Sequence, residues 1–277
     1  MPDRTSRVYY QPGTRAEAVS LDGFEAYIDY GDGLRSHSWS RTITSKSIRG
    51  LTLNSREVDV TVRLTDEKAN ELRRVADADV SAKMPGTIIV DDEWQMRCYI
   101  VSSKTKTVYW DWIECDLTVA LVDSYWWRHK KQHFVTGLVD DGLDYPHDHE
   151  YDYGFSIGEG RVTVDSLIGA LPLVRFYGPC TNPYVTIGGN RYEVDVNIPS
   201  GYTATIDATT AKPTVILSDS YGNKQSIFGL AVRDGGLNGG SYAFQPLSGG
   251  TLQVIWSGAF AFDLEWIEKD TEPPWAR

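Results

Sequence analysis

Cysteine is scarce: Cys98, Cys115 and Cys180 are odd in number, far apart and without a C-x-x-C pair in a chain of 277 residues. That pattern excludes a disulfide framework and a thiolate metal cluster, so the three read as reduced, mostly core thiols. No apolar run approaches the ~18 residues that cross a bilayer, and Met1-Pro2-Asp3-Arg4-Thr5 opens no signal-like stretch. The expectation is a polypeptide made and folded in cytoplasm, with no membrane partner. Basic residues are also in deficit, 27 Lys and Arg against 38 Asp and Glu, for a net charge of −11. The imbalance is local: residues 1–135 carry 19 against 20, and residues 136–277 carry 8 against 18. A field of that sign repels phosphate backbones and disfavours general nucleic-acid or anionic-membrane binding. No basic cluster stands out beyond Arg128, Lys130 and Lys131.

What the chain does have is a globular composition, 41% hydrophobic and 12% aromatic, and strong residue alternation in its first half. In Arg56–Leu64, Val58, Val60, Val62 and Leu64 fall on one face and Glu57, Asp59, Thr61 and Arg63 on the other, the pattern of a half-buried strand. Trp112–Val122 repeats it, with Ile113, Cys115, Leu117, Val119 and Leu121 inward, and shorter strands are expected at Thr87–Val90 and Gln95–Ser102. Between them, Asp66–Ala78 places Ala69, Leu72, Val75 and Ala76 on one helical face, with Thr65 or Asp66 as cap. The expected fold is mainly β. Residues 1–135 form a strand-rich first domain, barrel- or sandwich-like, with a single helix packed on it.

From about Thr136 to Gly160 the acids Asp140, Asp141, Asp144, Asp148, Glu150 and Asp152 crowd a stretch without apolar periodicity, read as a linker with an extended arm. Beyond it, turn signals such as Gly188-Gly189-Asn190, Pro199-Ser200-Gly201, Gly222-Asn223 and Gly249-Gly250 separate short strands at regular spacing. That is how a β-sandwich or jelly roll is written, so residues 161–277 are expected to be one. Pro273-Pro274 cannot continue a ladder, and Glu268–Arg277 reads as an exposed tail.

Candidate chemistry is thin. His129 and His133 are four apart but lack the Glu of H-E-x-x-H and a third ligand; His147 and His149 lie among acids whose order is not that of an EF-hand. Gly-x-Ser-x-Gly is absent, and Gly158-Glu159-Gly160 lacks the strand-then-helix context of a phosphate loop and reads as a turn. The chain therefore reads as non-enzymatic, with no catalytic, cofactor-binding or metal residues to name. Nine Trp and sixteen Tyr are many for this length. The adjacent Trp126 and Trp127 point to opposite sides of a strand, so one of them meets a second domain or another subunit.

The order of features resembles the distal tail proteins of long, non-contractile-tailed bacteriophages. In the first half the resemblance rests on the strand–helix–strand plan and on Leu117-Thr118-Val119-Ala120-Leu121-Val122-Asp123-Ser124-Tyr125-Trp126-Trp127, with Ser124 where the family usually has Pro. In the second it rests on the run from Leu171 to Gly188 with its Gly178-Pro179 and Asn182-Pro183 steps. Pro199-Ser200-Gly201-Tyr202, Ala204–Ala208 and Phe244–Gly250 with Leu252-Gln253-Val254 extend it. The resemblance implies a first domain that closes a ring, typically a hexamer, and a peripheral galectin-like β-sandwich. It implies as partners the tail tube protein, a tail-associated hub protein and, in some phages, receptor-binding proteins. DNA would pass through the lumen without specific binding, in a virion tail tip assembled in the host cytoplasm. Arg63, Trp126 and Trp127 are then the residues expected near subunit contacts, from strand position alone. Two other readings compete. A carbohydrate-binding module contributing to host-surface adhesion rests on fold analogy without a nameable stacking residue; a cell-wall hydrolase would need an insertion that the chain does not show.

Overall fold

The computed structural model describes residues 8–28, 33–136, 158–166 and 168–274. Residues 137–157, most of the stretch read as a linker and including His147 and His149, lie outside the described residues. The chain divides into two compact units, Met1–Arg128 with Lys269–Arg277, and His129–Glu268.

The first unit contains β1 (Val8–Gln11), β2 (Val19–Ser20), β3 (Ala26–Ile28), β4 (Ser40–Ile43), β5 (Ile48–Thr52), β6 (Arg56–Thr65), the helix α1 (Asp66–Ala82), β7 (Gly86–Val90), β8 (Trp94–Val108), β9 (Trp112–Leu121) and the start of β10 (Trp126–Phe134). Its main sheet is antiparallel, in the order β2-β1-β7-β8-β9-β6-β3. The order has two free ends, so the sheet does not close into a barrel as one form of the expectation had it. Among the described residues its terminal strands, two and three residues long, pair with no further strand. The alternation in β6 and β9 is as expected: Val58, Val60, Val62 and Leu64 are buried with Cys115, Leu117, Val119 and Leu121, and their polar neighbours face out. Strand β8 runs six residues beyond the expected Ser102, and its continuation is exposed throughout.

Helix α1 covers the apolar face with Leu72, Val75 and Ala76, each such burial stabilising by roughly 1–3 kcal/mol. Thr65 caps it by accepting the Lys68 N–H, and Asp66 and Glu67 sit at the positive end of its dipole. It continues four residues past the expected Ala78. The reason is Asp79, which takes the next core-facing position on the stripe as a fully buried carboxylate. Its oxygens accept the Tyr10 hydroxyl (2.7 Å), the Gly13 and Thr14 N–H groups (3.1 and 2.9 Å) and the Thr14 hydroxyl (2.6 Å). A hydrophobic stripe cannot reveal a turn whose inward residue is charged. Burial and the hydrogen bond to Asp79 together hold the Tyr10 hydroxyl far above its ordinary pKa.

The second unit holds the end of β10, then β11 (Gly158–Val164), β12 (Leu171–Tyr177), β13 (Cys180–Thr181), β14 (Tyr184–Ile187), β15 (Asn190–Glu193), β16 (Asn197–Ile198), β17 (Thr203–Asp207), β18 (Thr214–Ser218), β19 (Lys224–Ser226), β20 (Arg233–Asp234), β21 (Ser241–Tyr242), β22 (Gly250–Trp256) and most of β23 (Phe262–Asp270). One sheet runs β19-β18-β17-β12-β23 and another β11-β22-β14-β15. Their inward residues form one core, Val174, Phe176, Ile206 and Leu264 with Val162, Val185, Ile187 and Val254, which makes a sandwich. Gly158 and Gly160 are not in a turn, as their sequence suggested, but begin β11. A Cβ there would come within 2.4 Å of the Trp256 ring and 2.7 Å of the Phe134 ring, so glycine is what lets two aromatics lie on the backbone.

The expected exposed tail is not one. Strand β23 continues through Asp270, and Glu268 is buried, accepting the Asp165 N–H and the Trp266 indole N–H, both at 2.9 Å. In the first unit, the buried Arg35 side chain donates to the carbonyls of Pro273 (2.9 Å) and Pro274 and pairs with Asp91 at 2.7 Å. Proline has no N–H for a ladder, yet its carbonyl is an ordinary acceptor, and a guanidinium with a fork of donors can hold two of them.

Replacing Asp79 by alanine strands the Tyr10 hydroxyl and two backbone N–H groups. The expected loss is roughly 3 kcal/mol in urea unfolding, with Asp79→Asn losing less because it keeps an acceptor oxygen.

Candidate assembly surfaces

The outward face of the β6–β9 pair is polar and internally matched. Arg63 Nε donates to Glu114 at 2.9 Å directly across the ladder, Thr61 donates to Asp116 at 2.8 Å, and Thr118 donates to Asp59 at 2.8 Å. Lys106 reaches Asp116 at 2.8 Å. Such exposed cross-strand pairs are screened by water and add little to stability, and they leave this face without an apolar patch.

Most of the first unit's large exposed apolar side chains, Val80, Met84 and Val101 apart, lie instead at the two ends of this ladder. At one end, Glu25 carbonyl accepts the Thr65 N–H, Thr65 opposes Trp112, and Tyr109 N–H donates to the Trp112 carbonyl. This row brings Phe24, Tyr27, Val108, Tyr109 and Trp110 to one edge, with Phe24 and Trp110 fully exposed. At the other end, next to Arg56, is the β4–β5 hairpin: among the described residues its strands pair only with each other, and all their residues are exposed. Ile43 opposes Ile48 across it, and Leu51 is exposed beside a bulge whose left-handed residue is Gly50 (φ 62°).

The hairpin also carries Arg41, Lys46 and Arg49, and residues 34–56 contain no Asp or Glu. This basic patch was invisible as a run because the cations are spaced along the chain and only strand pairing gathers them. Two members of the cluster that did stand out are engaged: Arg128 with Glu93 (2.9 Å) and over the Trp94 ring, and Lys131 with Asp263 and Glu265.

Of the three residues named from strand position, Arg63 lies on the exposed face near the aromatic edge, close enough to Tyr27 and Tyr109 to feel both. Trp127 is half-buried, opposite Gln95 of β8. Trp126 is 0% exposed in the core of the first unit. The structure does not bring the three together: it leaves Arg63 and Trp127 surface to offer, and Trp126 none.

The fold has relatives among solved structures. The SPP1 Dit (gp 19.1) protein, described as a paradigm of the hub adsorption apparatus in Gram-positive infecting phages, aligns over 95% of this chain and 99% of its own, at 11% identity and a TM-score of 0.53. A chain of the phage P2 baseplate in its activated conformation with Ca aligns over 97% and 100%, at 9% identity and a TM-score of 0.51. The chain shares its fold with these phage proteins. No protein-family model matches it, and no curated protein does.

Elsewhere, the second unit gathers charged groups on the outward side of β10, β12 and β23. Asp263, whose side chain is 2% exposed, meets Lys131 Nζ at 2.6 Å, His133 Nδ1 at 2.5 Å and the Tyr177 hydroxyl at 2.7 Å, with Arg175 at 3.8 Å. Burial by itself would push this carboxyl up, but the donors outweigh it and hold it down to about 2. The donors converge on one acceptor rather than relaying a proton toward a nucleophile. A cavity of about 270 Å³ in the same unit is lined by Asn190, Asn238, Gln245 and Ser248. Its amides are already engaged, Asn190 with the Tyr242 backbone and Gln245 with Asn238. Cys98 and Cys115 are buried, burial pushing the Cys98 thiol up to about 12, and Cys180 is half-buried; all three are free. Among the described residues no three His, Cys, Asp or Glu side chains form a metal-binding group.

Because the folded Asp263 carboxyl titrates at about 2 against an ordinary 3.8, its contribution is complete above the unfolded value and is lost as pH falls from about 4 through 2. Thermal unfolding followed between pH 5 and 2 should show the wild type losing roughly 2 kcal/mol more than Asp263→Asn over that window.

Proposed function

We propose that this protein is a structural component of a bacteriophage tail tip or baseplate. In this reading six copies form a ring that links the tail tube to the tip hub and leaves a channel for DNA, which passes without specific binding. The observation that carries it is a fold shared over nearly the whole chain with the SPP1 Dit protein and a P2 baseplate chain. The first unit supports it physically. Its exposed aliphatic and aromatic side chains are the kind buried on association, and its near-neutral formal charge lets copies pack, while the acidic second half keeps a large assembly soluble. Arg63 and Trp127 are proposed near subunit contacts, with Trp126 backing the strand from inside. The tube protein, the hub protein and a receptor-binding protein are the proposed neighbours, the virion tail tip the proposed location and the host cytoplasm the site of assembly.

Electron micrographs of the purified full-length protein at micromolar concentration, alone and with its tube and hub proteins, should show closed rings. Arg63→Glu should reduce the ring fraction while leaving the monomer's melting curve close to that of the wild type, as befits an exposed ion pair. Monomers persisting with all neighbours present would overturn the reading.

A further inference from the structure

We propose that the β4–β5 hairpin of one copy docks on the aromatic edge of the next, so that copies join head to tail through two different surfaces of the first unit. The proposal rests on the ring reading above and names the surfaces that build it.

Position is the first argument. The base of the hairpin is tied beside the start of β6: Asn54 donates to the Ser40 hydroxyl at 3.1 Å, Ser55 to the Val122 carbonyl at 2.6 Å, and Arg56 to the Ser36 carbonyl at 2.6 Å. The aromatic edge lies at the other end of β6, level with Thr65 and Trp112. Ten residues of strand separate the ends by about 30 Å. A molecule with its two surfaces at opposite ends can bury both in an antiparallel two-fold pair, each hairpin on the other copy's edge, but that arrangement stops at a dimer and builds no ring. It can also bury both by passing each to a different neighbour, and such a chain closes when the rotation between copies divides the circle.

Chemistry is the second. The hairpin presents Ile43, Ile48 and Leu51 among Arg41, Lys46 and Arg49, with no acid. The aromatic edge presents Phe24, Tyr109 and Trp110 among Asp22, Glu25, Asp66, Glu67, Asp111 and Glu114, against the cations Arg63 and Lys68. Both cations are already paired there, Arg63 with Glu114 and Lys68 with Glu71. A basic aliphatic finger and an acidic aromatic edge are complementary in sign and both apolar at the centre, the arrangement that steers encounter and then buries area. Like surfaces would not do: hairpin against hairpin sets three cations against three. The polar ladder between the ends offers nothing comparable.

The test uses full-length chains carrying substitutions at exposed positions. Ile43→Glu with Ile48→Glu removes the hairpin surface; Phe24→Ser with Trp110→Ser removes the edge. Each variant alone should fail to assemble, its self-association weakened roughly 30-fold or more, with the wild-type melting curve retained. Mixed one to one, they should form a dimer and stop there in native mass spectrometry, because the pair still has one intact hairpin and one intact edge. Charge reversal gives an independent reading: Arg41→Glu with Arg49→Glu should weaken assembly, and adding Glu67→Lys with Asp111→Lys in the same chain should restore it. If either surface variant assembles as the wild type does, or the mixture stays monomeric, the proposal is overturned while the ring reading stands. A hairpin variant that still forms rings but no longer holds the tube protein also overturns it and gives the hairpin to that neighbour. Wild-type protein that never self-associates overturns both.

Discussion

Side-chain alternation along β6, β8 and β9 is the constraint on which the first unit depends. A strand has only two faces, and here one is filled by valines and leucines under α1 while the other is closed by Arg63 with Glu114, Thr61 with Asp116 and Asp59 with Thr118. With both faces settled, most of the large apolar side chains that are not core are shown where the ladder ends. Phe24, Tyr109 and Trp110 lie at one end and Ile43, Ile48 and Leu51 at the other, while Val80, Met84 and Val101 are exposed elsewhere.

The second unit obeys the same rule with different fillings. Phe134, Trp256 and Phe262 pack ring against ring at 4.5–5.4 Å in the interior, and two glycines of β11 make room for them. On the outward side of β10 and β23, charge replaces carbon, and a single carboxylate, Asp263, collects three donors. The two units thus differ less in architecture than in where they leave unsatisfied surface.

Much of this was legible in the residues, and the failures are instructive. The strands at Arg56–Thr65 and Trp112–Leu121 were readable because one face is apolar and the other polar at every step. The last turn of α1 was not, because Asp79 faces inward and a carboxylate mimics a surface residue unless its partners, here Tyr10 and residues 13–14, are known. Gly158-Glu159-Gly160 imitated a turn because the reason for its glycines is a pair of rings distant in sequence. The strand positions of Arg63, Trp126 and Trp127 were legible, but which of them reaches the surface depends on packing: only the fold puts Trp126 inside. The basic hairpin escaped notice because pairing, not adjacency, concentrates its charge.

The grip of Arg35 on the Pro273 and Pro274 carbonyls carries a consequence for synthesis. The first unit takes a segment from beyond the whole of the second. A nascent chain leaving the ribosome can therefore lay down the sheet and helix early, but cannot lock them until every strand of the second unit has been made. Order of synthesis thus puts the second unit's strands ahead of the first unit's last contact.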